Sequence, residues 1–265
     1  MILHNGLRLD ANLKWLFTEL PFEQRFDAAA AAGFTGVEYA SPYPFPTATL
    51  VRRLADAGLT QVLINSPTGE PGSPERLGYA CLPARAAEFR DGVRLGLEYA
   101  VALGSTFLHL PAGIRPAEVS RDRAFAQYVA NLAWAADQAR GSGVRLLLEA
   151  QNKQDAPGFV LDGQAHAAAV ADAIGEDHMS LLFDVYHASI DETDVVAALR
   201  EFLPRTAHVQ VADSPGRAEP GTGGIHWADV FGTLKAEGYE GWIGCEYEPA
   251  ATTEAGLNWI EEQIR

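Results

Sequence analysis

The sequence predicts a single-domain α/β protein, a (β/α)8 TIM barrel spanning residues 1–265, and three observations carry that reading. A helical run rich in Ala and Leu, then a Gly, then a short apolar run recurs along the chain. Gly is a frequent C-terminal cap, and alternating helical and strand periods imply βα units around a parallel sheet. Eight apolar runs can be counted in 265 residues, close to the roughly 250 of a typical eight-unit barrel. An open doubly wound sheet would carry a glycine-rich phosphate turn after its first strand, and none stands there.

The first strand is read over residues 7–13, with a helix from near Pro21 that closes at Ala28-Ala-Ala-Ala-Ala-Gly33. Strand two follows at 37–39, then a helix from Thr47 to Gly58; strand three lies at 62–64, then a helix from near Pro83 to Gly104. Strand four is 107–110 with a helix from Ser120 to Gly141, and strand five is 144–149 with a helix from near Leu161 to Gly175. Strand six is 179–184 with a helix from near Asp191, strand seven 207–211 with a helix from His226, and strand eight 242–246 with a helix from Thr253. Pro, Ser, Thr and Asp at several of these starts suit helix N-termini.

Four of these strands share a further design. Glu149, Asp184, Gln210 and Glu246 each put an oxygen-bearing side chain at or near the end of an apolar run, on strands five to eight. A carboxylate placed there costs several kcal/mol unless it is paired or holds a cation. A barrel of this kind opens its site at the C-terminal ends of its strands, so the four donors suit a hard divalent ion, Mg or Mn rather than Zn.

Composition bounds the partners. A net charge of −15 opposes a nucleic-acid surface, which needs clustered Lys and Arg. No run is apolar for long enough to span a bilayer, and the start lacks a secretory pattern, so a cytoplasmic protein without membrane partners is expected. Cys81 and Cys245 are too few for a disulfide framework, and Cys245 reads as a buried thiol. A homo-oligomer is left open.

Other polar residues have two readings each. His187, three residues beyond Asp184, falls in a loop over the site and reads as a substrate contact. His109, near the end of strand four, is open between substrate and structure, while His4, His166, His178 and His226 read as surface or capping residues. Arg217, after strand seven, is either a bidentate clamp for a substrate carboxylate or a solvated loop charge. The Gly-rich stretch 219–225 lacks the Lys and spacing of a phosphate loop and reads as a turn.

Over nearly its whole length the chain resembles the hydroxypyruvate isomerase family, including 2-oxo-tetronate isomerases, of the xylose-isomerase-like barrels. The matching stretches are Ala11-Asn-Leu-Lys-Trp-Leu-Phe17, Gly33-Phe-Thr-Gly-Val-Glu38, Asp184-Val-Tyr-His187, Ala207-His-Val-Gln-Val-Ala-Asp213, Arg217-Ala-Glu-Pro-Gly221 and Gly241-Trp-Ile-Gly-Cys-Glu-Tyr247. The resemblance implies that Glu149, Asp184, Gln210 and Glu246 bind the metal, that Glu149 and Glu246 are the catalytic acid and base, and that His187, Arg217, Asp155 and Asn65 contact substrate. It implies isomerisation of a small hydroxy-keto acid, hydroxypyruvate or its four-carbon analogue. Two positions depart from the hydroxypyruvate isomerase pattern: Ile64 stands where those enzymes tend to have His, and Lys153 where they tend to have His after Asn152. Ile64 is expected to remove a donor from the pocket wall. A ketose 3-epimerase would be marked by His at the third metal position, where Gln210 stands, and an abasic-site endonuclease by a His-rich metal cluster and a basic face.

Overall fold

The computed structural model describes residues 6–175 and 178–264. Eight parallel strands close into a barrel in sequence order: β1 (Arg8–Asn12), β2 (Gly36–Glu38), β3 (Thr60–Asn65), β4 (Phe107–His109), β5 (Arg145–Glu149), β6 (Met179–Asp184), β7 (Thr206–Val211) and β8 (Trp242–Cys245). β8 closes on β1 through Leu9↔Ile243 and Ala11↔Cys245. His4 lies outside the described residues.

The helices are α1 (Arg25–Ala31), α2 (Thr47–Ala57), α3 (Ala86–Leu103), α4 (Arg121–Ala139), α5 (Gln164–Ile174), α6 (Val185–Asp191), α7 (Val195–Phe202), α8 (Trp227–Ala236), α9 (Thr253–Gly256) and α10 (Trp259–Gln263). Pro21 and Pro83 introduce one-turn 3-10 segments that lead into α1 and α3. The Ser120 hydroxyl accepts from the Arg123 N–H at the head of α4, satisfying one of the free donors of a helix start. One expectation fails. Asp191 ends α6 instead of opening a helix, and α7 begins at Val195 because the Asp194 carboxylate accepts from Val196 N and Ala197 N.

Alternate residues of each strand point into the barrel, and the interior is layered. Near the bottom, the Trp242 ring lies so close to Gly36 that a side-chain carbon there would meet it at 2.9 Å. One layer up, Leu63, Phe107, Leu147 and Leu182 of β3 to β6 pack together. Across the barrel, β7, β1 and β2 bring His208, Asp10 and Glu38 within 4.8 Å of one another, with Gly244 of β8 against Glu38. The outward faces, with Leu9, Ile64, Leu108, Leu146, Leu148, Phe183 and Val209, form a second, larger core with the helices.

Candidate active site

The top layer carries the candidate site residues. A cavity of about 270 Å³ opens at the C-terminal ends of the strands, and Asn65, Glu149, Asp155, His187, Gln210, Arg217 and Glu246 all line it. Asp184 lies just behind this wall, fully buried, within 3.3 Å of Arg217. The register sets the layer: Asp184 pairs with Gln210, and Gln210 with Gly244, so Glu246 stands two residues further at the same mouth. Oxygens of Glu149 and Asp184 and a ring nitrogen of His187 lie within 4.8 Å of one another.

Arg217 ties the acids together. Its Nη2 donates to Glu246 Oε2 at 2.8 Å and to Asp184 Oδ2 at 3.3 Å, while the guanidinium lies between the rings of Trp15 and Tyr186 at 5.0 and 4.9 Å. Its Nε is buried and has no partner among the described residues, so one donor remains unused. The backbone holds it in place: Arg217 adopts φ +54, Arg217 N donates to Asp213 O, and Glu248 N donates to Arg217 O. Side chains rarely adopt that left-handed conformation, so the surrounding loop over-determines it. The Asp213 carboxylate organises that loop by accepting from Ser214 N, Gly221 N, Ile225 N and Trp227 Nε1. Stretch 219–225 is thus a turn wrapped on a carboxylate, as expected.

Two buried carboxylates, Glu149 and Asp184, and the half-buried Glu246 against one guanidinium leave the site short of positive charge. Burial, then Glu246 and Asp184, push the Glu149 carboxyl up to about 8. Burial likewise raises Asp184 to about 6, against the pull of Arg217, and raises Glu246, again opposed by Arg217. A dication would close this deficit, and the donor set of three carboxylates and one amide is the hard-oxygen kind that Mg or Mn takes. The residues fit such an ion.

His187 is buried on α6, not in a loop over the site. That short helix begins directly after β6 because Asp184 Oδ1 accepts from Tyr186 N at 2.8 Å and caps it. Its Nδ1 accepts from the Asn152 amide at 2.7 Å, and because an amide nitrogen only donates, the ring proton sits on Nε2. That Nε2 is 3.6 Å from Glu149 Oε1. Burial lowers the His187 pKa to about 4, so the ring is a neutral donor facing the cavity. Asp155 is raised by burial, but hydrogen bonds from Asn152 and from Tyr186 Oη outweigh this and hold it below the ordinary range. His109 also faces Glu149, at 3.6 Å, and burial depresses its pKa to about 3.

Both departures from the family pattern fall away from the cavity. Ile64 points outward into the core against the helices, because Leu63 and Asn65 take the inward positions of β3, so it removes no donor from the pocket wall. Lys153 is exposed and borders a separate groove with Arg115 and Asp162. His166 and His226 are surface residues, His226 at the head of α8. Cys81 and Cys245 are free and buried.

The sequence reading missed Asn12, Lys14 and Trp15, which line the cavity from the end of β1, and the interior trio Asp10, Glu38 and His208. Glu38 carries the signal used elsewhere, a carboxylate ending an apolar run, and His208 sits two residues before Gln210.

A sequence profile of the xylose isomerase-like TIM barrel family matches residues 26–263. Over 257 residues the chain is 41% identical to 2-oxo-tetronate isomerase of Cupriavidus necator, covering 97% of this chain and 98% of that one. It is 40% identical to hydroxypyruvate isomerase of Escherichia coli, covering 96% and 98%. The chain belongs to this isomerase family. Among solved structures, one titled AP endonuclease, family 2, from Brucella melitensis superposes with a TM-score of 0.92 at 37% identity, over 97% of this chain and 98% of that one. A D-psicose 3-epimerase shares the fold at a TM-score of 0.80 and 17% identity, over 97% and 99% of the two chains. As a member of the hydroxypyruvate isomerase family, the protein is an enzyme that interconverts isomers.

Proposed function

We propose that the protein is a divalent-metal-dependent isomerase of a small hydroxy-keto acid, interconverting hydroxypyruvate and tartronate semialdehyde. The observation that carries this is the charge-deficient group Glu149, Asp184, Gln210 and Glu246 beside a cavity of about 270 Å³, sized for a molecule of a few carbons. Those four side chains would hold Mg or Mn, which would supply Lewis-acid chemistry at the substrate carbonyl.

The protein groups divide the proton work. Glu246 accepts from Arg217, Asn12 Nδ2 and Trp15 Nε1, contacts that favour its anion, and it serves as the base that takes a proton from the hydroxymethyl carbon. Glu149, the second acid/base, draws a proton from solvent and delivers it to the former carbonyl carbon of the enediolate, and Glu246 releases its own to solvent, so both carboxylates end each turnover ionised as they began. The hydroxyl proton passes to the former carbonyl oxygen, so the change is a balanced 1,2-shift. His187 Nε2–H and the Arg217 guanidinium, both at the cavity wall, supply donors to substrate oxygens, with Asp155 and Asn65 contacting the remainder. Lys14 and Arg76 at the cavity wall add positive charge for a carboxylate.

The four-carbon acid is the second reading, supported by the 2-oxo-tetronate isomerase relative at 41% identity. An endonuclease activity is opposed by the net charge of −15. The deciding experiment compares kcat/KM for hydroxypyruvate, 2-oxo-tetronate and free ketoses with saturating Mn²⁺. One of the two acids is expected to lead every neutral sugar by at least ~10-fold, because a site that pairs a carboxylate leaves its cation unpaired otherwise. A neutral ketose in first place would overturn the proposal in favour of a 3-epimerase.

A further inference from the structure

We infer that Glu38 is a positioning residue of the site: from one layer below the cavity it fixes which atoms of Gln210 and Asn12 face the reacting centre. The inference rests on the metal reading above and extends it to a residue that touches neither cavity nor substrate.

Glu38 ends β2 and is fully buried. Its Oε1 accepts from Gln210 Nε2 at 2.7 Å and from Asn12 Nδ2 at 2.9 Å, and its Oε2 lies 2.6 Å from His208 Nε2. The two ends of an amide have nearly the same shape, so sterics alone do not decide which one faces the ligand centre. A carboxylate does decide it. An ionised Glu38 only accepts, so it captures the nitrogen of Gln210 and turns the oxygen the other way, toward the carboxylates of the site. An amide turned round would aim N–H donors at a cation and remove one of the four oxygen ligands. The same oxygen sets Asn12, whose Nδ2 also donates to Glu246 Oε1 at 3.2 Å while its Oδ1 accepts from Lys14 N at 3.1 Å. One buried carboxylate therefore orients a ligand and a partner of the base.

The barrel makes room for this arrangement. A side-chain carbon on Gly244 would fall 2.5 Å from Glu38 Oε1, so the bare backbone of β8 beside Gln210 is the niche in which the carboxylate sits. His208, on the far oxygen, holds the carboxylate from below.

The test reads metal affinity directly, by Mn²⁺ titration of the intact protein, with circular dichroism as the check on folding. Glu38→Gln should raise the Mn²⁺ dissociation constant about 10–100-fold, the usual range for a lost partner of a metal ligand. Gly244→Ala, which keeps every charge and every ligand but fills the niche, should weaken binding in the same direction and decides the matter if Glu38→Gln does not fold. The exchanged pair Glu38→Gln with Gln210→Glu puts the acceptor on the ligand and the donor beneath it, and should recover most of the affinity lost in the single variant. Native Mn²⁺ affinity in folded Glu38→Gln or folded Gly244→Ala would overturn the inference, as would a double variant no better than Glu38→Gln alone. Wild-type protein that binds no Mn²⁺ would instead overturn the metal reading, and this inference with it.

Discussion

One layer beneath the site the barrel has two unlike halves. Under Glu149 and Asp184 lie Leu147 and Leu182, with Phe107 and Leu63 beside them. Under Gln210, Glu246 and Asn12 lie His208, Gly244, Asp10 and Glu38. On the apolar half those four side chains carry no donor, so burial drives the carboxyls toward holding protons, Glu149 to about 8 and Asp184 to about 6. On the polar half, Glu38 accepts from Gln210 while Asn12 and Arg217 donate to Glu246, and these hydrogen bonds fix the side chains in one orientation. The contrast teaches that carboxylates at strand ends are not equivalent: one pair is held short of charge, while the other members are held in place.

The largest expected effect lies on the polar half. Glu246→Gln keeps the shape and the Asn12 side of the network but removes the proposed base, so turnover should fall by at least ~10² while the thermal transition stays near wild type. Turnover close to wild type in that variant would remove Glu246 from the chemistry. The apolar half is sharpened by pH. An ion can bind only by displacing the protons that burial keeps on Glu149 and Asp184, so Mn²⁺ affinity should rise between pH 6 and pH 8, by up to ~10-fold per unit for each proton displaced. A flat affinity across that window would mean these carboxyls are already ionised and the stated difference between the halves is wrong.

Asp10 gives the smallest effect and tests the interior trio. Neither of its oxygens has a hydrogen-bond partner among the described residues, and burial, then Glu38, raise its pKa well above the ordinary value. A folded pKa above the unfolded one means stability is intact below about pH 4 and is progressively lost as pH rises through the interval between the two. Asp10→Asn should therefore stabilise the fold by at least about 1 kcal/mol at pH 8 and leave it unchanged at pH 4, measured by urea unfolding. Destabilisation at pH 8 would show that the charged form is held by a partner.

The barrel was legible because eight apolar runs spaced by Gly-capped helices have few other solutions, and the acids of β5 to β8 stood out at the ends of otherwise apolar strands. Other features depended on packing. Asp191 and Asp194 are both acids suited to a helix start, and only the hydrogen bonds from Val196 and Ala197 show that Asp194 caps. The expected role of Ile64 failed because a strand's inward face depends on register, and a shift of one residue reverses every side chain. Asp10, Glu38 and His208 come from strands far apart in sequence and meet only when β8 closes on β1.

We place the divalent ion in the upper group of acids and not in the trio beneath it. Anomalous diffraction from crystals grown with Mn²⁺ tests this most directly. One peak is expected within about 2.0–2.6 Å of oxygens of Glu149, Asp184, Gln210 and Glu246. No peak there, or a peak among Asp10, Glu38 and His208, would contradict it.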